Sequence, residues 1–214
     1  MSDIFSFWKN LGREDHIHPT DKPVLAISKP RFDFKCLPIP FYGPLRTAPV
    51  VLLYLAPGWS AGDVADAKSS ERREFWYRQR QGFECLSGRN PESWWVKKTK
   101  CFGISSEVLG TKLAVLEICP YHAKSFYDWP MLAALPSCRV SIGWAQEILF
   151  PQARDGKRVV ICLRAAKYWG LTPGQTNDGL LFAPQTNRAG YMLKAPMRTK
   201  IIDAVRKIVG VKVK

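Results

Sequence analysis

One apolar strand that ends in a sharp loop constrains the fold more than any other feature of the sequence. Residues 50–55, VVLLYL, are almost entirely apolar, and the run breaks at Ala56-Pro57-Gly58. A strand that is apolar on both faces needs cover on both sides, which favours a parallel sheet between layers of helices. Ligands of such proteins bind at the carboxyl ends of the strands, so we expect a binding site at Pro57 and Gly58.

Three further segments predict strands of the same kind. They are residues 113–118, 159–163 and 180–183. Helical patterns separate them, and the last helix is predicted over residues 197–209, where apolar residues recur at helical spacing. This alternation predicts a three-layer α/β/α sandwich with a central, mainly parallel sheet of about four strands, which we expect to be neighbours.

The chain of 214 residues, 46% of them hydrophobic, suits one domain with a full core. Residues 1–48 are rich in proline and predict an N-terminal arm packed on the α/β domain of residues 49–214. No apolar run reaches the roughly 18 residues that a membrane span needs. We therefore expect a cytoplasmic protein with no membrane association; the sequence does not indicate an oligomeric state.

The charge predicts a polyanionic partner. There are 32 Lys and Arg against 18 Asp and Glu, a formal net charge of +14, and nucleic acid is the natural partner for such a surface. Basic and aromatic residues are interleaved in two regions, as in proteins that bind phosphates and stack on unpaired bases. The predicted nucleic-acid contacts are Arg72, Arg73, Arg78, Arg80, Lys97, Lys98 and Lys100. The alternative is an amphipathic helix with its rings in the core and a solvated basic face.

Metal and thiol chemistry find little support. The six cysteines are dispersed without a C-x-x-C pair, which indicates reduced, buried thiols. The pair His16 and His18 has no further ligand nearby and is expected to be solvated, so we assign no metal and no cofactor. Cys119 and His122 are close in sequence, but nucleophilic dyads are built in space, and local spacing says little about them.

Ser60 offers an alternative as a nucleophile. Residues 58–62, GWSAG, match the G-x-S-x-G pattern of the α/β hydrolases. The only downstream histidine is His122, which precedes the last strands, where that fold places its base. We therefore prefer Ser60 as the N-cap of a helix.

With this order of elements in place, the segment YLAPG of residues 54–58 resembles the first motif of the uracil-DNA glycosylase superfamily. LEICPYH falls where that family places its base-recognition strand, and VVICLR and LLFAPQTNR match the rest of its layout. The resemblance covers roughly residues 49–209. It implies a DNA-binding protein that flips a base out of the stack and hydrolyses its N-glycosidic bond.

The departures from the family pattern fall on catalytic positions. Leu55 and Ala56 stand where the family carries a polar residue that activates water, and Ala183 and Pro184 stand near its final His or Asn. The resemblance leaves His122 and Asn187 as the catalytic candidates. The substrate-binding candidates are Leu55, Ala56, Pro57, Gly58, Trp59, Glu117, Cys119, Arg164, Gln185 and Arg188. The alternative is a nucleic-acid-binding protein that keeps the glycosylase fold without its catalysis.

Overall fold

A single sheet organises the molecule. The computed structural model describes residues 3–88 and 93–211. Within these residues the strands are β1 (Phe41–Tyr42), β2 (Val50–Tyr54), β3 (Leu113–Glu117), β4 (Val159–Cys162), β5 (Gln175–Asp178) and β6 (Leu181–Ala183). They form one sheet in the order β1-β3-β2-β4-β6-β5.

The four central strands confirm the predicted sheet. β3, β2, β4 and β6 are neighbours and run parallel. Two antiparallel edge strands were not predicted: β1 pairs with β3, and β5 pairs with β6. The sheet is therefore mixed but mostly parallel, and the carboxyl ends of its central strands meet at one edge.

Helices cover both faces of the sheet. In chain order they are α1 (Ile4–Lys9), α2 (Lys22–Ser28), α3 (Ala61–Lys68), α4 (Ser70–Gln79), α5 (Trp94–Thr99), α6 (Ser106–Lys112), α7 (Met131–Ala134), α8 (Pro136–Trp144), α9 (Phe150–Arg154) and α10 (Pro196–Val209). A π-helical turn, Ala145–Leu149, joins α8 to α9, and 3₁₀ turns lie at Lys100–Phe102 and Ala166–Trp169. No helix within residues 3–88 and 93–211 is long and apolar enough to cross a membrane.

The helical segment that follows β2 is interrupted at Ser69, between α3 and α4. This residue has extended backbone, with ψ of 125°, and its side chain accepts a hydrogen bond from the backbone N–H of Arg72. Because serine caps a new helix well, the chain ends α3 and starts α4 within two residues. Arg72 and Trp76 of α4 line the cavity at the edge of the sheet where the central strands end.

Alternating residues of the strands feed two separate cores. Val51 and Leu53 of β2 belong to the core that α1 and α8 cover, whereas Val50 and Leu52 belong to the core that α5 and α10 cover. All four side chains are fully buried. This double burial explains the continuous apolar pattern of β2 and produces the three predicted layers.

The N-terminal residues take part in the first core, which is the one that α1 and α8 cover; the core that α5 and α10 cover is the second. The structure describes residues 3–48 of the predicted N-terminal arm. It describes residues 49–88 and 93–211 of the predicted α/β domain. Ile4 and Trp8 of α1 are completely buried, and the ring of Phe5 lies edge-on to Trp144 of α8 at 5.6 Å. His18 is also buried and stacks on Phe7 at 3.9 Å. The expectation that His18 is solvated was therefore wrong, because its ring packs against Phe7 and Trp8 of α1.

Candidate functional site

A cavity of about 960 Å³ opens at the carboxyl ends of β2, β3 and β4. The loop after β2 contributes residues 55–60, the loop after β3 contributes residues 122–126, and Arg164 follows β4. α4, α5 and the segment around Arg188 complete the wall. The structure thus places the cavity at the edge of the sheet that the sequence predicted for a ligand.

The floor of the cavity holds two polar groups without partners. Tyr54 and Glu117 are the last residues of β2 and β3 and lie opposite each other in the parallel register. They are 8% and 6% exposed. Neither the hydroxyl of Tyr54 nor Oε2 of Glu117 has a hydrogen-bond partner among the described residues. Buried polar atoms are normally satisfied, so this pair is available to hydrogen-bond a group that enters the cavity.

Both groups hold their protons at neutral pH. Burial raises the pKa of Glu117 from 4.5 to about 8, against the opposing effect of the positive charge of Arg164. The pKa of Tyr54 is raised well above its ordinary value, first by burial and then by the negative charge that Glu117 can carry. The floor therefore offers hydrogen-bond donors rather than a negative charge.

Aromatic rings form much of the wall. Trp94 lies edge-on to Tyr54 with ring centroids 5.7 Å apart. Trp59 is fixed by its indole N–H, which donates to Asp33 at 2.6 Å, and Lys124 lies 4.1 Å over its ring. The positive charge of Lys124 therefore lies over one face of the Trp59 ring. The aromatic lining residues are Tyr42, Tyr54, Trp59, Trp76, Trp94, Trp95 and Phe126.

Two cations of the wall are held by contacts within the protein. Arg72 forms an ion pair with Asp66 at 2.7 Å, and its guanidinium lies 4.6 Å over Phe75. Arg164 donates to the backbone carbonyl of Arg188, which joins the end of β4 to the loop after β6. The basic residues of the lining are Arg72, Lys98, Lys124, Arg164 and Arg188.

Ser60 is a helix cap, as predicted. Its hydroxyl accepts from the backbone N–H of Asp63, and the carboxylate of Asp63 accepts from the backbone N–H of Ser60 at 2.7 Å. This capping box starts α3. The hydroxyl also donates to the carboxylate of Asp63 at 2.7 Å, so the side chain of Ser60 is engaged within its own helix start.

His122 connects the loops after β2 and β3. Its Nδ1 lies 2.6 Å from the carbonyl oxygen of Gly58 and 3.7 Å from the carboxylate of Asp63. Burial lowers the pKa of His122, while the charge of Asp63 and the Gly58 carbonyl act to raise it. The backbone N–H of Ala123 also donates to the carbonyl of Pro57. His122 therefore lies in the cavity wall and holds the loop after β2 in place.

Three predicted site residues do not line the cavity. Cys119 is fully buried in the first core beside Cys138, and burial raises its pKa well above the ordinary value. Asn187 is exposed, and its side-chain oxygen accepts from the backbone N–H groups of Ala189 and Tyr191, so it shapes a turn. Gln185 is also exposed and lies outside the lining. The predicted catalytic role of Asn187 and substrate contacts of Cys119 and Gln185 are not supported by these positions.

The remaining predicted substrate contacts do meet at the cavity. They are Leu55, Ala56, Pro57, Gly58, Trp59, Glu117, Arg164 and Arg188, and His122 joins them. Gly58 has ordinary backbone, and a Cβ there would meet nothing within 4 Å. Its contribution is the carbonyl that His122 contacts rather than a special conformation.

The predicted basic surface is only partly available for a ligand. Arg72 and Lys98 line the cavity, although Arg72 is also paired with Asp66. Arg73 and Arg78 lie outside the lining and form ion pairs with Glu14 and Glu84. Arg80 is 5% exposed and donates to the carbonyl of Gly12, and burial lowers its pKa to about 10. Arg80 therefore cannot act as a surface phosphate contact as predicted.

The rings of α4 pack as the alternative interpretation predicted, which was an amphipathic helix with its rings in the core. Phe75 and Trp76 pack on the second core beside Tyr42. Lys97 and Lys100 are exposed at the end of α5 and in the turn that follows. The basic and aromatic interleaving of α4 is thus mainly amphipathic, with Arg72 and Trp76 at the cavity.

Sequence reasoning missed several residues of the site, among them Tyr54 and Lys124. Tyr54 was interpreted only as part of an apolar strand, although its position opposite Glu117 at the strand ends could have indicated its role. Lys124 gave no signal, because its place over Trp59 depends on the path of the loop after β3.

Comparisons with family models, with curated proteins and with solved structures found no significant match. The resemblance to the uracil-DNA glycosylase superfamily therefore stays a prediction.

Proposed function

We propose that this chain is a glycosylase-like nucleic-acid-binding protein that takes one unpaired nucleotide into the cavity and hydrolyses its N-glycosidic bond slowly. The observation that carries this proposal is the floor of the cavity, where the unpartnered Tyr54 hydroxyl and Glu117 carboxyl lie beneath aromatic and basic walls. These groups suit the polar edge of a base, and the walls suit its faces and phosphate.

The dimensions and composition of the cavity favour a nucleotide. Its volume of about 960 Å³ is at the upper end of the range for small-molecule sites. Bases stack on aromatic rings at about 1 to 3 kcal/mol each, and cations hold the neighbouring phosphates. Trp94 and Trp59 supply rings, and Lys124 supplies a positive charge over the ring of Trp59.

A row of rings leading out of the cavity favours a polymer over a free nucleotide. Phe126 lines the cavity and contacts Trp129 at 5.2 Å, and Trp129 stacks on Tyr168 at 5.0 Å. Trp129 and Tyr168 are 39% and 44% exposed. Exposed stacked rings next to a nucleotide site suit unpaired bases that flank the bound one.

The catalytic groups support slow rather than fast hydrolysis. The protonated floor can donate hydrogen bonds to a departing base as negative charge develops on it. The acids of the wall are engaged elsewhere, since Asp63 caps α3 and Asp66 pairs with Arg72. General base catalysis contributes about 100- to 10,000-fold, so an enzyme without a free carboxylate for water loses a factor of that order.

The test combines binding and excision. Fluorescence anisotropy with labelled single-stranded and double-stranded DNA, with and without uracil, measures affinity, and alkaline cleavage on a gel measures excision. We expect Trp94→Ala to weaken binding by about tenfold, whereas Phe83→Ala, which removes an exposed ring outside the lining, leaves it unchanged. We expect slow excision that His122→Ala reduces further.

Two results would change the proposal. Absence of binding to any of these nucleic acids would overturn it. Binding that depends on Trp94 without excision of any base would establish the alternative, a binder that keeps the fold without the catalysis.

A further inference from the structure

We propose that Glu117 acts as a neutral carboxylic acid that reads an uncharged base edge carrying a hydrogen-bond donor beside an acceptor, while the phosphate stays with the cations of the wall. This inference rests on the proposed function and adds the chemical class of the group that reaches the floor. It makes Glu117, together with Tyr54, the specificity-determining part of the site.

The position of Glu117 is fixed by the sheet. Its backbone N–H donates to the carbonyl of Pro40 at 2.9 Å, and its register partner is Tyr54 of β2. The side chain is 6% exposed, and its Oε2 has no hydrogen-bond partner among the described residues. The backbone of Glu117 is therefore fixed by the sheet, and its buried carboxyl has hydrogen-bonding capacity to spare.

The charged groups around Glu117 do not neutralise a carboxylate there. Arg164, which follows β4, is the cation that acts on its pKa, yet the guanidinium donates to the carbonyl of Arg188. No ion pair of Glu117 occurs within residues 3–88 and 93–211. The other titratable or charged groups that line the same cavity are Tyr42, Tyr54, Asp63, Asp66, Arg72, Lys98, His122, Lys124 and Arg188. Burial therefore dominates, and the proton stays on the carboxyl until pH rises to about 8.

A neutral carboxyl has one donor and one acceptor, and the Tyr54 hydroxyl adds a donor. Every nucleobase presents hydrogen-bonding groups of both kinds on its edges. Phosphate and carboxylate ligands present acceptors only and bring a negative charge, so they suit Arg72, Lys98 and Arg188 at the wall instead. The arrangement thus orients a nucleotide with its base on the floor.

The experiment compares two labelled single-stranded oligonucleotides of the same length. One has an ordinary base at its centre and the other has an abasic tetrahydrofuran residue there. The affinity for the oligonucleotide with the base is divided by the affinity for the abasic one at each pH from 6 to 9.5. This ratio isolates the contribution of the base. We expect this ratio in the wild type to fall about tenfold as pH passes about 8.

Glu117→Gln is the matched variant, because its amide keeps one donor group and one acceptor without a charge. We expect its ratio to stay high and constant with pH, which also controls for ionisation of the DNA. A difference infrared spectrum of wild type against Glu117→Gln should show a protonated carboxyl band that disappears as pH rises through about 8. A thermal unfolding curve verifies that the variant folds.

The possible failures are distinguishable. A wild-type ratio that favours the base at every pH, or a Glu117→Gln variant that loses the preference, overturns the neutral-acid inference and leaves the proposed function intact. A wild type that binds both oligonucleotides equally at pH 6 overturns the proposed function and the base-reading role of Glu117 together.

Discussion

Replacing Glu117 by Gln should stabilise the protein increasingly as pH rises. The carboxyl is buried without a hydrogen-bond partner for Oε2, and ionising it in the folded state is costly. In the unfolded chain the same carboxyl titrates near its ordinary pKa of 4.5, whereas in the folded protein its pKa is about 8. Gln has nearly the same shape and never ionises, so the variant removes this cost alone.

The magnitude follows from the two pKa values. They differ by about 3.5, and one pKa unit corresponds to about 1.4 kcal/mol. Because the folded pKa is the higher one, the contribution of Glu117 to stability is fully present below about pH 4.5 and is lost progressively up to about pH 8. Above pH 8, the free energy of unfolding of the wild type should therefore be lower than that of Glu117→Gln by up to about 5 kcal/mol.

Urea unfolding at pH 4.5, 6, 7 and 8.5 measures this difference directly. Glu147→Gln, an exposed change on the π-helical turn with the same loss of charge, is the control. We expect near-equal stability of wild type and Glu117→Gln at pH 4.5 and a gap that widens with pH, with no such trend in the control. A gap that does not vary between pH 4.5 and 8.5 would refute the burial of an ionisable Glu117.

Three further outcomes are expected. Ser60→Ala should lower the free energy of unfolding by about 1 kcal/mol through loss of the helix cap, without abolishing DNA binding or excision; a complete loss of excision in a folded variant would contradict its structural role. Lys124→Glu should weaken oligonucleotide binding at low salt and reduce the salt dependence of the affinity, whereas Lys157→Glu, at the opposite end of β4, should not; equal effects would contradict binding at the cavity. Cys119 should resist thiol reagents in the folded protein while the partly exposed Cys85 reacts, as followed by mass spectrometry, and modification of Cys119 first would refute its burial.

The central sheet could be predicted because its strands are buried on both faces. The apolar run of β2 has no other stable place in a domain of this size. The edge strands gave no such signal: β1 has two residues, and β5, with the sequence QTND, is polar because it lies at the exposed edge. Their pairing depends on the neighbouring strand rather than on their own residues.

The site was predictable where it follows directly from the strand ends. Glu117 and Arg164 lie at or just after the ends of β3 and β4, and these ends necessarily meet. Cys119 would share the face of Glu117 if β3 continued, but the strand ends at Glu117, and both Ile118 and Cys119 enter the first core. Asn187 lies in a loop whose path is set by its own backbone contacts, which no periodic pattern encodes.

The contact between Phe5 and Trp144 has a consequence for biosynthesis. α1 completes its packing only against α8, a helix that is synthesised more than a hundred residues later. Contacts so distant in sequence slow folding, because a long loop must close before they form. We expect the apolar face of α1 to stay incompletely covered in the nascent chain until α8 has been made. Deletion of α1 should leave the first core open rather than release an independent domain.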